Sequence, residues 1–445
     1  MSGTSRRWRG YANRVLAAEI SSLTRYYDRL IQYARHERDD GMLFDLIACP
    51  DKTVVGLDEN LPDARAQENR RSAVFLNGNF NYSNDIQGML DTIRRSVGHT
   101  SRVVAVVYNP YFATIYRLAS RLGLRAGVEP TTFVTYTDLE NMARLAGFRL
   151  VRMRTALYSP FRLAGLGTLL NMILPALPGL RHFSFAAIVV LAPVEPRRDE
   201  PSISVIVPTR NERGNIAPAL EGLRAVRSRL PDLEVVFVEG HSSDGTWEEI
   251  QRLMPGYASH FKVCALQQTG TGKGDAVRLG FARATGDVVT ILDADLTVPP
   301  AAVPRFYEAY CQGLGDFVNG SRLVYGAESG AMQTLNRLGN LLFAKALSHV
   351  LSVRLGDSLC GTKLFARHDY ARFTAWRHDF GDFDPFGDFE LLFPAAVLGL
   401  TIIDLPIHYR ARTYGTTNIS RFRHGWMLLK MTAIGFFKVR LGVVR

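Results

Sequence analysis

Cysteine is scarce in this chain. Its 445 residues include four, Cys49, Cys264, Cys311 and Cys360. No two of them have the spacing of a metal-ligand pair or a redox pair. That excludes a disulfide framework and implies a reducing cytoplasm. Long apolar runs are also nearly absent. One segment, Leu163 to Leu180, is uncharged and just long enough to test as a membrane span. Pro175, Pro178, Asn171 and its glycines interrupt it, so we expect a buried apolar helix and loop packed on a sheet. No other stretch qualifies, which excludes a polytopic membrane protein. The N-terminal MSGTSRRWRGYANRVLAAEI is basic but lacks a continuous apolar core and a cleavage site, so no secretory signal is expected. Acidic residues run out towards the end. None follows Asp404, whereas Arg410, Arg412, Arg421, Arg423, Lys430, Lys438, Arg440 and Arg445 do.

What is present is ordinary globular composition, 47% hydrophobic and 21% charged. The formal net charge of +11 suits an anionic partner: nucleic acid, a phosphorylated substrate or an acidic membrane surface. The length suggests roughly two to three domains. The Pro- and charge-rich VEPRRDEP lies between two apolar runs and reads as a linker. We place the boundary near residue 198, giving domains over 1–197 and 198–445.

Both halves alternate strand-like and helix-like patterns. In the first, helical periodicity runs through RVLAAEISSLTRYYDRLIQYAR. Apolar runs follow at TVVGLD, SAVFLNG, RVVAVVYN and FRLVRMRTALY. YTDLENMARLAG reads as a helix with Thr137 or Asp138 as N-cap and Gly147 as its stop. In the second half, SISVIVPT, LEVVFVEG, FKVCALQQ, DVVTILDA and GDFVNGSRL are strands separated by helices. The class is therefore α/β, with mainly parallel sheets and helices on both faces. Ligands in such folds bind beyond the carboxyl ends of the strands. Pro208 to Glu212, Glu239 to Ser243, Gly270 to Lys273 and Asp293 to Thr297 should converge there.

Asp293 and Asp295 leave a buried strand as an acidic pair. They suit either a hard divalent cation, Mg²⁺ or Mn²⁺, or an Asp-rich turn capping the next helix. Upstream, GTGKGDAV offers Gly270, Gly272 and Gly274 for backbone approach to a diphosphate, with Lys273 adding charge. As a dinucleotide fingerprint it is weak, because Asp275 stands at the third glycine position. Glu212 and Glu239 end the first two strands and could accept from base or ribose groups, or be exposed loop acids. Arg322 and Lys363 could hold phosphates, or lie on the surface. Asp388 precedes the apolar helix FELLFPAAVLGL as an N-cap or a base, with Glu390 inside it. Arg410 and Arg412 lie in YRARTYGTTNISRFRHG, a suitable phosphate cradle.

In their order, VIVPTRNERGNI, VEGHSSDGTWEEI, GKGDAVRLGFARATGDVV, DADLTVPP, NGSR, DSLCGTKLF and YRARTYGTTNI resemble the family 2 glycosyltransferases of the GT-A fold. The polyprenyl-phosphate (dolichyl-phosphate) mannosyl- and glucosyltransferases are the nearest in pattern. The resemblance covers about residues 202 to 420. It implies that Pro208, Arg210 and Glu212 form the first nucleotide loop. It puts Glu239 where the family has a base-contacting aspartate, in a motif that here reads EGHS; His241 is expected to face solvent. Asp293 and Asp295 match the metal–diphosphate motif, with Thr297 where some relatives use a glutamine. Arg322 and Arg412 match arginines near the phosphates, and Asp388 lies near the base position of members with hydroxyl acceptors. The implied cofactor is Mg²⁺ or Mn²⁺. The implied partners are a nucleotide sugar, a lipid phosphate and the cytoplasmic face of a membrane, with no nucleic acid. The first half resembles, more faintly, the later part of a class I methyltransferase. Its place for the cofactor loop, TVVGLDENLPDA, has one glycine, so a degenerate scaffold domain is expected.

Three readings follow. The first is an inverting, metal-dependent transfer of sugar from a UDP- or GDP-linked donor, with the basic tail SRFRHGWMLLKMTAIGFFKVRL at an anionic membrane surface or packed as a terminal helix. The second is S-adenosylmethionine-dependent methyl transfer by the first half. The third is a non-catalytic protein that binds membrane surfaces.

Overall fold

The computed structural model describes every residue except 1–2, 36–38, 57–58, 64–69, 123–128, 178, 198–199, 326–333, 381–386, 413, 415–420 and 442–445. The chain divides into two compact units. The first is Met1–Glu195 with Val397–Gly399 and Phe436–Arg445; the second is Pro196–Ala396 with Leu400–Gly435.

The first unit has six strands: β1 (Arg29–Tyr33), β2 (Asp51–Val55), β3 (Ser72–Asn77), β4 (Arg102–Tyr108), β5 (Phe148–Ala156) and β6 (Ala186–Pro193). They lie in the order β2-β1-β3-β4-β6-β5. The first four are parallel, and β6 runs antiparallel to β4 and β5. Side chains alternate between two cores, as the strand period of two requires. Val74, Leu76, Val103 and Ala105 pack with Leu90, Ile93 and Leu139 in one. Ala73, Phe75, Val104 and Val106 pack with Leu16, Ile20 and Leu23 in the other.

Several expectations for this unit are corrected. The first helix spans Gly3–Thr24, and the rest of its periodic pattern becomes β1. There Leu30 to Tyr33 are buried and Leu30 to Gln32 are paired on both sides, so sheet burial overrides a helical spacing. TVVGLD forms the edge strand β2, and its last two residues lie outside the described residues. The helix Tyr136–Leu145 is capped by Thr135, whose hydroxyl accepts from the Asp138 N–H at 3.2 Å, not by Thr137 or Asp138. Gly147 does end that turn, at φ +73°. The Leu163–Leu180 segment breaks into a 3₁₀ turn at Leu163–Gly165, a helix at Leu166–Ile173 and a second turn at Leu174–Ala176. Among the described residues no helix is long and apolar enough to cross a membrane. Nor is the segment buried: Leu163 and Leu166 are each 55% exposed.

The second unit has seven strands: β7 (Ile203–Thr209), β8 (Glu234–Glu239), β9 (Lys262–Gln267), β10 (Val288–Ile291), β11 (Phe317–Ser321), β12 (Lys363–Ala366) and β13 (Ile402–Pro406). Their order is β13-β11-β12-β10-β7-β8-β9. β10, β7, β8 and β9 run parallel. β12 is antiparallel to β10 and β11, while β13 is parallel to β11. Helices at Arg213–Val226, Thr246–Tyr257, Lys273–Arg283 and Val303–Cys311 follow the four parallel strands, with a 3₁₀ turn at Pro300–Ala302 before the last. The α/β class read from the sequence is the one the sheets display. β12 and β13 were not legible, being short strands with no alternation to separate them from loop.

Packing is close where the helix Lys273–Arg283 crosses β7. A Cβ on Gly280 would overlap the Ile206 side chain. Gly280→Val should therefore lower stability by about 1–3 kcal/mol through overpacking. A shift in the urea midpoint at unchanged m-value would show it.

Candidate functional site

The parallel order brings four strand ends to one edge, and backbone hydrogen bonds stitch them together. Gly240 N–H donates to the Thr209 carbonyl at 2.8 Å, Gln268 N–H to Glu239 at 2.9 Å and Leu292 N–H to Ile206 at 2.9 Å. The loops after β7 and β8 are laced by Asn211, whose N–H donates to Ser242 Oγ and whose side-chain oxygen accepts from Ser243 N–H, both at 2.9 Å. The expected convergence of Pro208–Glu212, Glu239–Ser243, Gly270–Lys273 and Asp293–Thr297 is thus met.

Asp293 leaves β10 and opens a tight turn in which the Leu296 N–H donates to its carbonyl at 3.1 Å. Leu296 itself is left-handed, at φ +54°, a conformation that costs a non-glycine residue about 1 kcal/mol. Each carboxylate of the pair meets a cation of the chain. Lys273 Nζ lies 2.5 Å from Asp293 Oδ1. Arg412 Nη2 lies 2.6 Å from Asp295 Oδ2. Asp295 Oδ1 also accepts from the Thr297 hydroxyl at 2.8 Å and the Thr297 N–H at 3.1 Å. Thr297 thus orients a carboxylate.

The electrostatics follow from this pairing. Burial opposes the charge on Asp293, but Lys273, with Lys363 and Arg322 beyond it, holds the carboxyl below the usual carboxylate range. Burial likewise opposes the Lys273 charge, and Asp293, Asp388 and Asp295 together hold the ammonium above its ordinary value. The pair stays ionised at neutral pH, so an incoming cation competes with a charge, not with a proton. A Cβ on Gly361 would collide with both Asp293 Oδ2 and Lys273 Nζ. Glycine there is what lets the backbone approach the pair.

The remaining residues sort by their partners. Glu212 is buried; burial pushes its carboxyl up, against a 2.6 Å hydrogen bond from Asn215 and the nearby Arg412 guanidinium. Burial also works against the charge on Glu239, but the Ser242 N–H at 2.5 Å and Gln267 at 3.2 Å hold it below the usual range. Pro208 is half-buried in β7, and Arg210 beyond it is exposed. His241 is exposed at φ +57°, with Nε2 3.2 Å from the Gly270 carbonyl, in keeping with a turn position. Gly272 adopts φ +88° just before the helix.

Some parts differ from those expected. The Gly270 N–H is taken by the Asp275 carboxylate at 3.2 Å, so it is not offered to a ligand. Arg322 makes a two-pronged pair with Asp357, at 2.8 and 2.9 Å, and Asp357 is fully buried. Its guanidinium braces the loop before β12 and is not presented as a phosphate clamp. Lys363 is fully buried and donates to Asp388 at 2.5 Å, so it too is no surface phosphate holder. Asp388 is neither a side-chain cap nor a solvated base: its carboxylate closes that internal pair. Glu390 accepts from Arg278 at 2.9 Å and Arg377 at 3.2 Å. Arg410 is exposed, while its N–H donates to the Thr297 carbonyl at 2.9 Å.

Ile407 to Arg412, with Tyr414, form a strap tied at Thr297 by Arg410, at Asp295 by Arg412 and at Asp244 by the Tyr414 hydroxyl at 3.3 Å. Residues 415–420, the glycine–threonine part of the expected cradle, lie outside the described residues. Sequence reasoning missed Asp357, Gly361, Asp244 and Tyr414. Each acts through a tertiary contact that spacing along the chain does not encode.

The family model for glycosyl transferase family 2 matches residues 204–372. A dolichyl-phosphate hexose transferase of Haloferax volcanii is 31% identical over 228 residues, which cover 50% of this chain and 89% of that protein. The chain belongs to glycosyl transferase family 2. Two further family members are less fully spanned. The low-salt glycan biosynthesis hexosyltransferase Agl6 of H. volcanii is 29% identical over 51% of this chain and 52% of its own length. The dolichol-phosphate mannosyltransferase of Pyrococcus furiosus is 38% identical over 28% and 34%. The chain therefore spans about half of one and a third of the other. Among solved structures, glucosyl-3-phosphoglycerate synthase of Mycobacterium tuberculosis, in complex with Mn²⁺, UDP and glucosyl-3-phosphoglycerate, is similar at 20% identity and TM-score 0.38, covering 54% of this chain and 80% of that one.

Two substitutions test the geometry. Where the acidic turn holds a divalent cation with a nucleotide, Thr297→Val, which removes one hydrogen bond to the Asp295 carboxylate, should weaken that binding by roughly tenfold, equivalent to about 1.4 kcal/mol. Gly361→Ala should abolish that binding while circular dichroism still reports a folded chain. Calorimetric titration with UDP- and GDP-sugars reads both.

Proposed function

We propose that this family 2 member transfers a sugar, with inversion, from a UDP- or GDP-linked donor to a polyprenyl phosphate. The observation that carries the acceptor is the buried Lys363–Asp388 pair. Asp388 Oδ1 is already occupied by the Lys363 ammonium 2.5 Å away, so it does not stand open as a base that could take a substrate proton. A hydroxyl acceptor needs such a base. A phosphate monoester, with a second pKa of about 6, is already mostly dianionic at pH 7 and needs none.

The acidic turn fits Mg²⁺ or Mn²⁺. It offers two hard oxygen donors, fewer than a full protein cage, as suits an ion that also takes phosphate oxygens. The chain's own cations already sit against both. Asp293 and Asp295 would hold the ion, which when bound supplies neutralisation of the leaving diphosphate. The chain's residues do the rest. Glu212 and Glu239 offer buried acceptor oxygens at the two strand ends beside the donor. Thr297 fixes the Asp295 carboxylate. Arg412, partnered by Asp295 and Glu212, is the cation nearest to exchange its carboxylates for phosphate oxygens. Arg410 is exposed on the same strap for the acceptor phosphate.

A lipid acceptor also requires a membrane surface, and we place the protein at the cytoplasmic face. In support, the helix Arg421–Gly435 exposes Trp426, Leu429 and Lys430.

Turnover of a panel of UDP- and GDP-sugars, with and without polyprenyl phosphate, tests the reading. Asp295→Asn should lower turnover by about a hundredfold or more. The rate should fall below about pH 6 as the acceptor takes up its second proton, and Asp388→Asn should leave that acid limb in place. An acid limb abolished by Asp388→Asn, or turnover only with hydroxyl acceptors, would sink the phosphate reading.

A further inference from the structure

We propose that the first unit carries a docking face for an anionic bilayer surface, centred on the helix Leu166–Ile173. It stands apart from the reaction assigned above. That helix is inside out. Its inward stripe, at i, i+4 and i+8, is Gly167, Asn171 and Pro175. Gly167 is buried, and a Cβ there would overlap the Phe161 carbonyl. The Asn171 side chain accepts from the Tyr158 and Ser159 N–H groups at 2.6 and 2.9 Å, and donates to the Ser159 carbonyl at 2.8 Å. Small and polar groups thus fasten the helix to the unit, while Leu163, Leu166, Leu169, Met172, Ile173 and Leu177 face solvent. An ordinary surface helix has the opposite arrangement.

A second stripe lies on a neighbouring element. The helix Ala113–Arg121 and its ends expose Tyr111, Ile115, Leu118 and Leu122 at helical spacing. It adjoins the chain that follows the first stripe: the Phe112 ring stacks on Phe185 at 4.8 Å, and the Tyr116 hydroxyl donates to the Phe185 carbonyl at 2.5 Å. Phe183, two residues earlier, is exposed as well.

Charge selects the occupant. No Asp or Glu occurs between Glu140 and Glu195, whereas Arg144 and Arg162 in that interval are exposed. The first stripe, on a stretch without acids and beside the exposed Arg162, is complementary to anionic headgroups over acyl chains, while on the second stripe's helix Arg117 is paired with Glu129. The breaks at Gly165 and Pro175 keep the helix too short to span, so it would lie in the interface plane.

Co-sedimentation of the full chain with phosphatidylcholine vesicles, with and without phosphatidylglycerol, tests this. The wild-type chain should prefer the anionic vesicles. Leu166→Ser with Leu169→Ser should lower that binding by about tenfold or more with an unchanged urea midpoint, since both side chains already face water. Arg162→Glu should reduce the preference for phosphatidylglycerol. Leu169→Trp should show blue-shifted emission on anionic vesicles only. Equal binding by the double serine variant would overturn the proposal, as would absence of vesicle binding or of any anionic preference. So would a wild-type dimer that the double variant converts to monomer at unaltered vesicle binding, because the face would then belong to a second copy.

Discussion

The constraint on which the second unit depends is the placing of two carboxylates, one residue apart, at the end of a strand whose every position is buried. Left alone they would repel each other and resist desolvation. The fold answers with cations brought from distant parts of the chain: Lys273 from the start of a helix after β9, and Arg412 from the strap after β13. That solution dictates its surroundings. Lys273 reaches Asp293 only because position 361 has no side chain. Arg412 stays in place because the strap is also held by Arg410 and Tyr414.

A second layer of pairs lies behind the first. Arg322 with Asp357 and Lys363 with Asp388 are buried. Removing one partner of such a pair strands a charge, at a cost of about 3–5 kcal/mol. The pairs therefore make the loop before β12 rigid, and this loop carries Gly361. Positioning at the acidic turn is thus underwritten by residues that a nucleotide sugar need never touch.

The acidic pair, the succession of β7 to β11 along the chain and the convergence of four strand ends were legible in the sequence, because each rests on local pattern. Short apolar runs ending in polar residues are the mark of parallel strands, and Asp293 and Asp295 ended one. What was not legible depends on partners far along the chain. Arg322 and Lys363 read as cations available for phosphate; their carboxylates, at 357 and 388, become visible only when β11, β12 and the helix Phe389–Val397 are assembled. In the first unit, β1 continued a helical spacing and was recovered only by its two neighbours in the sheet. The segment from Leu163 to Leu180 was misjudged for a different reason. Apolarity predicts that a side chain leaves water, but not whether it enters a protein core.

Among the ties that fasten the strap after β13 are a backbone hydrogen bond at Thr297, ion pairs of Arg412 with Asp295 and Glu212, and a phenol–carboxylate contact at Asp244. The Arg412 pairs are charges that a phosphate could replace. Such a fastening is redundant in a useful way. Breaking those pairs frees the Arg412 guanidinium to change partners, while the other ties leave the backbone that carries it where it was.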